Sequence, residues 1–317
     1  MNQNQIERLM HPKHIQQSLH DMIQEELDDY LSSAIRGLRK WLDVSEYDSK
    51  NARKEYLRSL DLYEIVTGLF TTIGIHCVNE MPYVSIASMY SIPGMSKLDS
   101  IKTVSELIAL FKPIGLYEIT VYPTGTRTIT SLIGLPDDLA NRLNLYCYLP
   151  PMIERPNKLE SNNSSGYKTI NKDSLILGYK ENFHNRSISL DVLNTLNKQE
   201  YVLDTDFMDK FERQFHREEL EPNEIEQAYE QAQLNGYKYT LNDFTDQYNQ
   251  DKINYENYMS QLSVLREHIE NETIYFTHKV DKRGRVYSQG FHFNLQSDSY
   301  GKACISLKHK ELCTGEL

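Results

Sequence analysis

Nine apolar residues (Ile15, Leu19, Met22, Ile23, Tyr30, Leu31, Ile35, Leu38 and Leu42) recur at three- and four-residue steps near the start of the chain. That spacing lines one face of an α-helix and does not fit a strand, whose faces alternate every second residue. It predicts a long amphipathic helix over residues 14–42. A second helix is expected over about 55–75, with Leu60, Tyr63, Val66 and Phe70 on one face, and a shorter one over 104–111. These apolar faces read as core.

The period changes over residues 116–133. The strings LYEITVY and TRTITSLI are rich in β-branched and aromatic residues, and Pro123-Thr124-Gly125 between them supplies turn chemistry. A β-hairpin is expected there. Thr124-Gly125-Thr126-Arg127 is too short for a phosphate-binding loop. Pro136-Asp137-Asp138 then opens another helix, with acidic residues in its first turn.

Beyond that, Leu149-Pro150-Pro151 and Arg155-Pro156 make a stiff, extended strap. The polar string at 157–166 (NKLESNNSSG) reads as a mobile loop. Residues 189–207 read as a helix and its connection. Over 211–235 the acidic residues Glu212, Glu218, Glu219, Glu221, Glu224, Glu226 and Glu230 face only Arg213 and Arg217, a net of 2 − 7 = −5. Such a run is either a solvated helix face or a surface for a basic partner. A long helical stretch, broken once, is expected over 241–269.

Several classes fall away. No apolar run approaches the ~18 residues of a membrane span, and the polar start, MNQNQIERLMHPKH, has no signal-peptide core. Cys77, Cys147, Cys304 and Cys313 form no Cys-x-x-Cys pair, so free thiols in a reducing compartment are expected. The ten histidines show no metal-ligand spacing: His11 and His14 sit in a polar tail, while His278 and His292 flank the motif described next. No Gly-x-Ser-x-Gly elbow is present to support serine hydrolase chemistry.

The last forty residues differ from the rest. With 34 Lys and Arg against 45 Asp and Glu, the chain carries a net charge of −11. Between 278 and 310, however, Lys279, Lys282, Arg283, Arg285, Lys302, Lys308 and Lys310 oppose only Asp281 and Asp298, a net of 7 − 2 = +5. Tyr275, Phe276, Tyr287, Phe291, Phe293 and Tyr300 are interleaved with them. Such a patch on an acidic chain suits phosphates. At its centre stands Asp281-Lys282-Arg283-Gly284-Arg285-Val286-Tyr287. Glycine permits a sharp turn, the two arginines offer forked donors, and Tyr287 offers a flat face. Taken alone, the string also fits an ordinary surface turn.

In context, IYFTHKVDKRGRVYSQGFHFNLQSDSYGKACISL resembles the single-subunit, bacteriophage-type RNA polymerases, a family that includes the mitochondrial enzymes. These carry an Asp-x-x-Gly-Arg motif where thumb meets palm, then a Phe-Asn-Pro-Gln-like segment and a lysine. The matching positions are Asp281, Arg283, Gly284, Arg285 and Tyr287, then Phe293, Asn294 and Gln296, then Lys302. Thr277 and Leu295 stand where the family has prolines. The strap at 149–156 with Gly166-Tyr167 resembles the family's Pro-Pro-x-Pro-Trp…Gly-Gly-Tyr stretch, without its Trp. The resemblance is densest over 273–317, sparser over 116–210 and absent before that.

The resemblance implies an α+β chain, mainly helical: an N-terminal domain over 1–212, thumb-like helices over 213–272, and the start of a palm over 273–317. It implies that Arg283, Gly284, Arg285, Tyr287, Gln296 and Lys302 contact the DNA template or the RNA–DNA hybrid, and that Asp281 and Asn294 orient the motif. In the family, two palm aspartates hold Mg2+ and a fingers helix binds the incoming ribonucleotide. Both lie far beyond this motif, and this chain ends at Leu317, near a break found in the two-subunit enzymes of certain lytic podoviruses. A second polymerase subunit is therefore the expected partner, with no catalytic or metal-binding residue in this chain and no membrane. The expected setting is the cytoplasm of an infected bacterium. The hairpin at 116–133 occupies the place of the family's DNA-opening hairpin, but its tip lacks a basic cluster, and the sequence does not decide that role. Two alternatives stand beside this: a non-enzymatic helical adaptor for nucleic acid or a partner, and a truncated N-terminal fragment of a one-chain polymerase.

Overall fold

The computed structural model describes residues 2–146, 149–178, 184–211, 221–269 and 273–309. The fold is mixed α+β, predominantly helical, with small open sheets. It divides into two compact units, Pro12–Leu143 and Met1–His11 together with Asn144–Leu317. The chain thus passes between the units twice, at 11/12 and at 143/144. Residues 212 and 272, where boundaries were expected, lie outside the described residues. No helix among the described residues is long and apolar enough to cross a membrane.

Helix α1 (Gln3–Met10) opens with a reciprocal Asn2–Gln5 capping box. Its Ile6 and Met10 pack against Leu149, Met152 and Tyr167. Its fully buried Glu7 accepts hydrogen bonds from Lys168 N (2.9 Å), Thr169 N (2.7 Å) and Thr169 Oγ1 (2.6 Å). A polar group that deep is tolerable because several N–H and O–H donors meet its oxygens.

The unit Pro12–Leu143 begins with α2 (Pro12–Glu26), α3 (Asp28–Asp43), α4 (Asp48–Arg58) and α5 (Leu62–His76). The single helix expected over 14–42 is two helices. Leu27 leaves helical geometry at φ −115°, ψ 25°, yet it still packs on the core, so the apolar spacing runs straight through the break. The helix expected over 55–75 is also two, because Asp61 caps a new one by accepting from Tyr63 N (2.9 Å) and Glu64 N (3.3 Å). The buried Lys54 ammonium closes the end of α3. It donates to Trp41 O and Val44 O at 2.8 Å each, reaches Glu46 Oε1 at 3.1 Å, and lies 4.4 Å from the Trp41 ring centroid.

Strand β1 (Met81–Pro82) leads into α6 (Tyr83–Met89) and α7 (Lys97–Phe111), which begins well before the expected 104 behind a Ser96 cap. The expected hairpin is present as β2 (Tyr117–Val121) and β3 (Arg127–Ser131), with Ile119 opposite Ile129. Gly125 turns the chain at φ +82°, a region closed to most side chains. The sheet runs β1-β3-β2, all antiparallel. Helix α8 (Asp137–Asn144) starts at the acidic pair that announced it.

The second unit continues with α9 (Leu190–Leu196), β4 (Tyr201–Leu203) and α10 (Thr205–Lys210), then α11 (Pro222–Leu234) and α12 (Leu241–Ile269). No break interrupts α12, contrary to expectation. Glu221, Glu224, Glu226 and Glu230 are all exposed at α11, whereas Glu212, Arg213, Arg217, Glu218 and Glu219 lie outside the described residues. Strands β5 (His278–Val280) and β6 (Val286–Ser288), helix α13 (Ser299–Ala303) and β7 (Ile305–Leu307) complete the unit, with β4 pairing β7 and β5 pairing β6. The loop at 157–166 is irregular but anchored, because buried Leu159 exchanges two hydrogen bonds with the Asn194 side chain (2.8 and 2.9 Å). Cys77 and Cys304 are buried and form no disulfide, and burial pushes the Cys77 thiol up to about 12. Cys147 and Cys313 lie outside the described residues.

Candidate nucleic-acid interface

The chain entering the motif is tied by its backbone to three other segments of its unit. Tyr201 and Ile274 exchange backbone hydrogen bonds (3.0 and 2.8 Å), as do Met152 and Tyr275 (2.9 and 2.8 Å). Val280 donates to Leu175 O (2.8 Å) and accepts from Leu177 N (2.7 Å). Ile274, Phe276, Thr277, His278 and Val280 are all buried. Phe276 meets Tyr201 edge-on at 5.4 Å, and Tyr258 of α12 stacks on Phe293 at 5.5 Å. Residues 274–280 therefore hold the following hairpin on a fixed base.

At the hairpin tip one carboxylate organises everything. Asp281 Oδ1 accepts from Arg283 N (2.8 Å) and Arg285 N (3.0 Å), while Oδ2 accepts from Arg285 Nε (2.6 Å). Arg283 Nε lies 3.5 Å from the same Oδ2. The backbone closes between Asp281 N and Arg285 O (2.9 Å) and between Gly284 N and Asp281 O (2.9 Å), with Gly284 at φ +84°. A side chain at 284 would be strained there. Desolvation of Asp281 works to raise its pKa. The Arg285 side chain and the N–H groups of Arg285 and Arg283 outweigh it and hold the carboxyl well below the usual carboxylate range.

The arginines point outward: their side chains are 64% (Arg283) and 56% (Arg285) exposed, against 15% for Asp281. The Arg285 guanidinium carbon sits 5.6 Å from the Tyr287 ring centroid, within cation–π reach. Arg285, Asp281 and Tyr287 thus form one assembly, with guanidinium N–H groups left over to meet phosphate oxygens or base edges.

Gln296 joins this assembly through the backbone. Its Nε2 donates to Val286 O (2.8 Å) and its Oε1 accepts from Ser288 N (3.2 Å), so it runs along the free edge of β6. Asn294 holds the segment behind it, donating to Gly290 O (3.0 Å) and Phe291 O (2.8 Å) and accepting from Gln296 N (2.7 Å). Lys302 is exposed on α13, whose start Asp298 caps through Gly301 N (2.8 Å). It makes no hydrogen bond or ion pair with the turn among the described residues.

The linear charge count overstates the patch. Lys279 pairs with Asp173 (2.5 Å) and Lys308 with Glu200 (3.5 Å). Lys310 lies outside the described residues. Six described cations against Asp281, Asp298, Asp173 and Glu200 leave 6 − 4 = +2. What remains is concentrated at Lys282, Arg283 and Arg285. Arg186, which sequence reasoning missed, adds to it by donating Nη1 to Lys282 O (2.7 Å). It stands 96 residues away in the chain, and no local pattern marks it.

Among the described residues, no group of three or more His, Cys, Asp or Glu is placed to hold a metal ion. Asp281 in particular has both oxygens engaged by N–H donors. No protein-family model matches this chain, and no curated protein matches it either.

Proposed function

We propose that this chain is the small subunit of a split, two-chain DNA-directed RNA polymerase of the bacteriophage type. On this reading α11 and α12 are thumb helices, and residues 274–280 with β5 and β6 begin the palm. The observation that carries the reading is the Asp281-ordered turn, which presents two exposed guanidiniums and Tyr287 from a tightly tethered base. Arg283 and Arg285 grip phosphates of the template strand or of the RNA–DNA hybrid, and Tyr287 supports a base. Asp281, Asn294 and Gln296 position them. Lys302 adds a further phosphate contact.

The second subunit brings the fingers, the ribonucleotide site and the palm aspartates. Mg2+ held by those aspartates supplies charge stabilisation for nucleotidyl transfer. This chain's share is to fix the strand so that the reacting groups meet.

Co-expression with a polymerase-like second chain from the same genome tests this directly. The pair is purified through a tag on this chain and assayed for RNA synthesis on single-stranded DNA with Mg2+ and four ribonucleotides. The expected result is a stoichiometric pair that makes RNA, with neither chain active alone. A chain that purifies by itself and supports no synthesis would favour the adaptor. A single reading frame continuing into the fingers would favour the fragment.

A further inference from the structure

Beside the turn lies a pocket of about 230 Å³. Its floor is aliphatic, built from the buried Ile176, Leu193 and Val280, and Ile188, Val192 and Val286 line its more exposed sides. Its rim carries Arg186, Lys282 and the serines 187 and 189. Ser189 uses its side chain in no capping bond. Asp281 also borders the pocket, its charge matched by Arg285.

Beyond Asp281 the hairpin divides: Lys282, Gly284 and Val286 line the pocket, whereas Arg283, Arg285 and Tyr287 do not. The hairpin therefore has two working faces. The volume lies below the ~300–1,000 Å³ of sites for drug-sized ligands, so there is room for one flat ring and not for an extended molecule. Aliphatic walls favour a ring with apolar faces, and a cationic rim favours an anion tethered just outside. A nucleotide joins these two properties in one molecule, and apolar side chains are known sandwich partners for an unstacked base.

We infer that this pocket takes a single nucleotide, its base against Ile176, Ile188 and Val192 and its phosphate on Arg186 and Lys282. The ligand class rests on the polymerase reading; the cavity does not. The nucleotide comes either from a strand held by the turn or from free solution.

The test uses the full chain with methyl-labelled Ile, Leu and Val. The probes are adenosine 5′-monophosphate and short single-stranded DNAs carrying 2-aminopurine at successive positions. The methyl signals of Ile176, Ile188 and Val192 should shift with one or both probes. A strand-borne base should brighten 2-aminopurine at one position only, and excess adenosine monophosphate should leave that signal in place. A free nucleotide should shift the methyls by itself and abolish any strand signal. Val192→Trp fills the pocket from its half-exposed α9 side and leaves Arg283, Arg285 and Tyr287, which do not line it, in place. It should abolish the signal and weaken binding by up to about tenfold, with an unchanged melting temperature showing that it folds. Methyls that respond to neither probe, or only to the second subunit, would overturn the inference. If the methyls respond while the co-purified pair makes no RNA, the polymerase reading fails and the pocket stands. RNA synthesis with silent methyls has the opposite meaning.

Discussion

Asp281 holds Arg285 twice, through the backbone N–H at 3.0 Å and the guanidinium Nε at 2.6 Å. The acid therefore shapes the turn and aims the base at once. Asp281→Asn raises the net charge by one, so simple electrostatics predicts tighter binding to a polyanion. Preorganisation predicts the reverse. The amides of Arg283 and Arg285 should exchange faster with solvent, and single-stranded DNA should bind more weakly at every salt concentration. Tighter binding in an anisotropy titration would show that the pair does not order the turn. Because the Asp281 pKa is depressed on folding, its stabilisation is complete above its unfolded value of ~3.9 and is lost only as pH falls through the lower folded value. Binding near neutrality should show no titration from this group.

Arg285→Ala removes the donor without touching the core. If the proposed function holds, assembly with the proposed second subunit should persist in a pull-down, while RNA synthesis falls by about tenfold or more, the scale of ~1–3 kcal/mol for a forked arginine contact. Arg283→Ala, whose Nε is 3.5 Å from Asp281, should do less. It should lower the salt slope of binding by about one ion. Near-normal synthesis by Arg285→Ala would remove the motif from the proposed function.

His278 is buried, and its Nδ1 lies 2.8 Å from Asn197 Oδ1. Burial lowers its pKa to about 4. Protonation then favours the unfolded chain. Stability is complete above the unfolded value of ~6.5 and is lost as pH falls toward 4, by about 2 kcal/mol between pH 7 and pH 5. Urea denaturation at those two values measures it. His278→Gln should flatten this dependence. It should not abolish it, because burial also depresses His76. An unchanged slope would show that His278 is not the group being titrated.

The parts of the fold legible in the sequence were those with a local chemical signal. The hairpin was marked by its β-branched strings and Pro-Thr-Gly turn, and α8 by its acidic start. The break at Leu27 was hidden because that residue remains on the apolar face while its ψ departs from the helix. The start of α5 carried a readable sign, Asp61 with Glu64 three residues on, which a capping rule would have caught. Glu7 could not be seen, since periodicity assigns buried positions to apolar residues and this one is held by donors more than 160 residues away. For the site, the Asp-x-x-Gly-Arg string identified the turn, but Arg186 and the pocket floor come from distant segments. The charge count misled for the same reason: Lys279 and Lys308 find their acids, Asp173 and Glu200, far off in the chain.

Gly166 packs against Thr277, and this contact joins the end of the 157–166 loop to the segment that carries the turn. A Cβ at position 166 would stand 2.5 Å from Thr277 Oγ1 and 2.7 Å from Thr277 Cβ, closer than real side chains approach. Thr277 cannot retreat easily, since its carbonyl accepts from Gln289 N (2.8 Å) and its neighbours Tyr275 and Val280 are tied on both sides. Gly166→Ala should therefore cost about 1–3 kcal/mol, the usual penalty of overpacking a tight site. Thr277→Gly, which removes both clashing atoms, should cost about 1–3 kcal/mol alone, through backbone entropy and the lost packing of a buried side chain. The double variant should then be more stable than the sum of the two by at least ~1 kcal/mol, because relieving the clash is worth more than the lost packing. Denaturant melts of the four proteins give the coupling. Strict additivity would mean that the 157–166 loop yields instead of Thr277. In that case Gly166→Ala should disturb Tyr167 and leave DNA binding by Arg283 and Arg285 intact.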